Sequence, residues 1–84
     1  MATIYIVEDD VNIREIERYA LKNSGYQVEE FECGADLFKR LESKVPALIL
    51  LDIMLPNEDG LDILTKIRTD KNTAKVQIGR ASCR

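Results

Sequence analysis

The chain has 84 residues, 45% of them hydrophobic and 32% charged, enough for one small globular domain. Its net charge of −3 argues against nucleic-acid binding by this segment alone, and no apolar run approaches the roughly 20 residues that span a bilayer. With no histidine there is no His nucleophile or His–metal site, and Cys33 and Cys83 have neither metal-ligand nor disulfide-framework spacing. Acids at positions 8–10 interrupt any N-terminal signal peptide. A reduced, cytoplasmic protein is the simplest expectation.

Thr3 to Val7 (TIYIV) is β-branched and aromatic and predicts the first strand, closed by Glu8-Asp9-Asp10. Asp10 is suited to cap the helix that follows. From Val11 the period changes to about 3.6. Ile13, Ile16, Ala20 and Leu21 predict an inner face, with Arg14, Glu17, Arg18 and Lys22 largely opposite. Gly25 suits the left-handed position that ends this helix. Tyr26 to Phe31 is polar enough for an outer strand, and Gly34 opens a second helix carrying Ala35, Leu37, Phe38 and Leu41. Pro46 ends the loop after it. Ala47 to Leu51 is a short continuous apolar run and predicts a strand buried on both faces. Leu61, Leu64 and Ile67 mark a third helix, with Asp59 or Asn57 as its cap. Thr69 to Thr73 is a polar loop, and Lys75-Val76 looks like the entry to a fourth strand.

The β-α-β-α-β-α pattern predicts a flavodoxin-like, doubly wound parallel α/β sheet. If the first strand is central, the order is 2-1-3, and the ends of strands one and three meet at the topological switch point. That brings Glu8 and Asp9 near Asp52. Two or three carboxylates beside an open site can hold Mg²⁺, which needs few protein oxygens because it keeps several waters. A backbone carbonyl just after Asp52 could add one more. One oxygen of an Asp can bind metal while the other attacks phosphorus, giving an aspartyl phosphate. Taken singly, each feature has a plainer reading. The acids at 8–10 cap a helix, Asp52 ends a strand, Gly60 is a turn glycine, and the aromatic residues pack the core. The functional reading comes from their coincidence at the spacing of two βα units.

I-V-E-D-D-x-x-I-R at 6–14 and L-L-D-I-M-L-P-N-E-D-G-L-D-I-L at 50–64 together resemble the receiver domains of bacterial two-component response regulators. The form D-x-M-L-P-x-x-D-G is most similar to the OmpR/PhoB type of transcriptional regulator. The resemblance covers residues 3 to about 76. It implies that Asp52 is the phosphoacceptor and Asp9 a direct Mg²⁺ ligand. It implies too that Glu8 holds the metal through water and that Met54 offers its backbone carbonyl. Asp10 is not a ligand in this alignment. The implied donor is a sensor histidine kinase, and the intact protein would form a receiver homodimer. DNA would be contacted only through a separate effector domain, without membrane association and without enzymatic turnover.

The family's Ser/Thr after strand four, Lys after strand five and helices four and five have no counterpart before Val76, so strands four and five are expected to be missing. Residues 78–84 (IGRASCR) match one translation of a common sequencing adapter, ATC GGA AGA GCG TCG TGT AGG. The expected organisation is therefore a truncated receiver domain over 1–76 and a non-native tail over 77–84. A phosphatase of the haloacid-dehalogenase type would also use an Asp nucleophile and Mg²⁺, but it needs a second Asp where this chain has Met54. A phosphate-independent interaction module is the other alternative, and the complete acid set argues against it. The dinucleotide and P-loop glycine motifs are absent.

Overall fold

The computed structural model describes residues 2–52, Leu55 and residues 58–80. Its elements are β1 (Thr3–Val7), α1 (Val11–Asn23), β2 (Gln27–Phe31), α2 (Gly34–Leu41), β3 (Leu48–Leu51), α3 (Gly60–Thr69) and β4 (Gln77–Arg80). All strand pairs are parallel, in the order β2-β1-β3-β4. β1 lies inside the sheet because each of its five residues is buried and can lose water on both sides. Its register pairs Val7 with Phe31 on one edge and with Leu51 on the other.

Alternation along the strands divides the core. Tyr5, Val7, Ile49 and Leu51 join Leu37 and Leu41 of α2 and Ile63 and Ile67 of α3 in one cluster, which Leu55 and Val76 complete. The Tyr5 ring meets Phe31 edge-on at 5.1 Å, and its hydroxyl donates to the Lys44 carbonyl at 2.9 Å. α1 packs on the opposite face, against β1 and β2.

The helix ends follow their local chemistry. Asp10 accepts from the Asn12 and Ile13 amides at 2.9 and 3.2 Å, and Gly25 takes φ +95° after α1. Asp59 caps α3 by accepting from the Leu61 amide at 2.9 Å, while Asn57 lies outside the described residues. The turn into β4 is closed by Arg68, which donates to the Ala74 and Val76 carbonyls, both at 2.7 Å.

Three expectations are corrected. Strand four, expected to be missing, is present: Ile49 pairs with Ile78 and Leu50 with Gly79. A parallel ladder is made by backbone groups, so QIGR needs little more than Ile78 packed on the core. Gly79 leaves room for a neighbour, since a Cβ there would come within 2.8 Å of Leu50 Cδ2. No fifth strand occurs among the described residues. β3 is buried on one face only, with Leu48 and Leu50 half-buried, because α1 covers β1 and β2 and leaves β3 open. Finally, α1 is rotated from its expected setting. Ile16 is 69% exposed and Ala20 is exposed, whereas Ile13, Glu17 and Leu21, spaced four apart, are half-buried.

Candidate metal and phosphoacceptor site

The ladders continue one step past the strands. The Glu8 amide donates to the Phe31 carbonyl, and the Asp52 amide donates to the Val7 carbonyl, both at 3.0 Å. Glu8 and Asp52 are thereby held side by side at the carboxyl end of the two inner strands. Both are buried, at 3% and 4% exposure, while Asp9 stands exposed at the rim. Each of the three offers a carboxylate oxygen, and these oxygens lie within 4.8 Å of one another.

Neighbouring groups fix the frame. Arg14 donates from Nη1 to the Glu8 carbonyl at 2.8 Å and pairs through Nε with Glu30 at 3.0 Å, so it ties the end of β1 to β2. Asp10 turns away to cap α1, and its amide donates to Glu8 Oε2 at 3.2 Å. The Glu8 carboxyl is pushed up to about 7, chiefly by burial and further by a hydrogen bond shared with Asp52 and the charges of Asp52 and Glu17. The Asp10 amide opposes this rise. Glu17 approaches the same region from α1. Its Oε1 is buried with no hydrogen-bond partner among the described residues, and its carboxyl is raised by burial and by the charge of Asp52.

Two buried carboxylates in contact resist ionising together unless a cation joins them. An all-oxygen donor set, part buried and part exposed, suits a hard divalent ion that keeps some of its waters. The residues present therefore fit such an ion, and the cluster is able to hold a metal.

Of the residues singled out in the sequence, Glu8, Asp9 and Asp52 converge and Asp10 stays outside the cluster. The Met54 carbonyl lies outside the described residues. The sequence reading assigned Glu17 and Arg14 to an outer face. The signal that could have found Glu17 is its place midway between Ile13 and Leu21 on a four-residue spacing.

The family model for the response regulator receiver domain matches residues 4–80. The Bacillus subtilis alkaline phosphatase synthesis transcriptional regulatory protein PhoP is 37% identical over 68 residues, covering 81% of this chain and 28% of that protein. The Pseudomonas aeruginosa phosphate regulon transcriptional regulatory protein PhoB is 36% identical over 76 residues, covering 90% and 33%. The chain thus spans a third or less of these two relatives. Among solved structures, the Thermotoga maritima response regulator TrrA in complex with Mg²⁺–BeF superposes with a TM-score of 0.83. It is 33% identical, covering 93% of this chain and 66% of that one. A chain from the complex of histidine kinase ThkA with TrrA gives a TM-score of 0.87 at 31% identity, covering 100% and 72%.

Proposed function

Because the chain belongs to the response regulator receiver domain family, we propose that it accepts a phosphoryl group on Asp52 from a sensor histidine kinase, with Mg²⁺ as cofactor. The observation that carries this reading is the convergence of Glu8, Asp9 and Asp52, from two strand ends far apart in sequence, at one partly open point. The existence of the ThkA–TrrA complex and of TrrA with Mg²⁺–BeF supports the choice of donor and cofactor.

In this reading Asp9 and Asp52 would hold the ion, Glu8 would assist through water, and the Met54 carbonyl would be a further ligand. Bound Mg²⁺ would supply charge neutralisation for the anionic nucleophile and the incoming phosphoryl oxygens. The Asp52 oxygen forms a bond to phosphorus as the bond to the leaving group breaks, and the leaving group keeps that electron pair. Glu8, whose carboxyl is raised to about 7 without metal, has to give up any proton it holds for the full set of charges to form. Arg14 keeps the β1 end in place throughout. The product is one acyl phosphate on the chain's own side chain, so the domain switches state and does not turn over substrate.

The parent protein is read as an OmpR/PhoB-type transcriptional regulator, like PhoP and PhoB, that dimerises through its receiver and meets DNA through an effector domain. No helix among the described residues is long and apolar enough to cross a membrane, and a cytoplasmic place suits this role. The test is phosphorylation by a small phosphodonor with Mg²⁺, read by intact mass and hydroxylamine sensitivity. Wild type should gain one phosphoryl group and Asp52→Asn none; undiminished labelling of the variant rejects the assignment.

A further inference from the structure

α2 begins without a cap of its own. Cys33 holds the extended N-cap conformation, but its side chain makes no capping hydrogen bond. The first amides of a helix need an acceptor, and here it comes from another part of the chain. Both oxygens of Glu58 accept from the Gly34 amide, at 3.0 and 2.9 Å. The approach is close: a Cβ at position 34 would stand 2.5 Å from Glu58 Oε1 and 3.0 Å from Ile63 Cδ1, so the Glu58 carboxylate would have to shift from this position. A carboxylate at a helix start also meets the positive end of the helix dipole, which strengthens the tie.

Glu58 belongs to the segment that leaves Asp52. That segment is pegged at described points along its length. The Asp52 amide donates to Val7, Leu55 is buried in the core, Glu58 grips α2, and Asp59 caps α3. Two consecutive acids thus fasten one loop to two helices. A serine or aspartate at position 33 would cap α2 more simply and leave the loop without this tether.

We propose that Glu58 is a positioning residue for the segment that carries Asp52: by gripping the start of α2 it anchors that segment at its α3 end. This rests on the reading of Asp52 as the phosphoacceptor. It predicts that cap and loop can be separated by moving the cap. Glu58→Ala removes the tether, and Cys33→Ser, added to it, restores a local acceptor for α2 without reconnecting the loop. Glu58→Gln keeps a neutral acceptor and serves as the milder variant should Glu58→Ala unfold.

The measurements are amide exchange at Leu37 in α2 and at Leu55 in the loop, Mg²⁺ affinity, and the rate of labelling by a small phosphodonor. Glu58→Ala should speed exchange at both leucines and lower affinity and rate by about tenfold, the scale expected when a reacting group is slightly misplaced. In the Cys33→Ser/Glu58→Ala protein, Leu37 exchange should return to the wild-type value while Leu55 exchange, affinity and rate stay impaired. Glu58→Gln should fall between wild type and Glu58→Ala at Leu55. Recovery of Leu55 together with Leu37 in the double variant, or an unchanged Leu55 in Glu58→Ala or Glu58→Gln, overturns the proposal. Failure of the wild type to label would overturn the phosphoacceptor reading instead, and the Leu55 exchange would still decide the tether.

Discussion

On the face covered by α2 and α3, Tyr5, Val7, Ile49 and Leu51 meet apolar side chains from both helices, and the cluster is closed by Leu55 and Val76. On the face carrying α1, Ile4 and Ile6 are buried, but Leu48 and Leu50 are half-exposed and no residue of α1 is fully buried. Ile16 and Tyr19 of α1 are each 69% exposed, while the carboxylate of Glu17 is turned inward. One face is packed for stability, and the other carries charge next to the acidic site. Adjacent residues of one strand therefore contribute to different properties, and substitutions can separate them.

The largest effect should come from Ile49→Ala. Emptying a fully buried site on the α2/α3 face costs about 2–5 kcal/mol. Leu50→Ala, one residue on and on the face that α1 leaves open at β3, should cost about 1 kcal/mol because its side chain is only partly buried. Urea unfolding of the two variants measures the contrast, and equal losses would break it.

Next comes the response to pH. Glu8, raised to about 7, and Glu17, also raised, take up protons more readily in the folded chain than in the unfolded one. Their contribution is fully present below the ordinary carboxylate range and is lost as pH rises towards 7. Glu29 works the other way. Its hydrogen bonds to Arg40 hold its carboxyl low, so its contribution disappears only in more acidic solution. Without divalent ions, Tm should be highest near the ordinary carboxylate pKa, about pH 4.5, and fall towards pH 8. Added Mg²⁺ should recover stability at pH 8 and much less at pH 5, where Glu8 keeps its proton.

Glu17→Leu sharpens the comparison further by making the α1 face resemble the other. Removing a buried acceptor that lacks a donor should stabilise the chain by about 1 kcal/mol at pH 7. The gain should shrink below pH 4.5, where the wild-type carboxyl is neutral in both states. The last contrast concerns neighbours at the site's edge, where the effect on metal affinity separates two adjacent acids. Asp10→Ala should cost about 0.5–2 kcal/mol through the lost cap and leave Mg²⁺ affinity nearly unchanged. Asp9→Ala should weaken Mg²⁺ binding with little loss of stability. Equal affinities in the two variants would show that the assignment of Asp9 is out of register.

The acids of the site were legible because parallel strands place the residues after their last pair at one end of the sheet. Once β1 is recognised as central, Glu8 and Asp52 have to meet there. The setting of α1 was not legible, because Ile16 and Glu17 sit side by side and hydropathy favours the wrong one as the inner residue. Only the position of the helix over β1 and β2 decides between them. β4 was obscured for a different reason, since backbone pairing at a sheet edge asks little of side chains. The Glu58–Gly34 contact joins a loop residue to the first residue of α2 and leaves no periodic signal in either.

β1 pairs on one edge with a strand reached through a single helix, and on the other with β3, reached only after two helices and β2 have been made. Closing that longer loop costs more chain entropy and depends on contacts formed late in folding. Glu8 and Asp52 come together only when β3 docks. Affinity for a divalent ion should therefore appear in the refolding phase in which β3 docks, which makes metal binding a timer for the joining of the two inner strands.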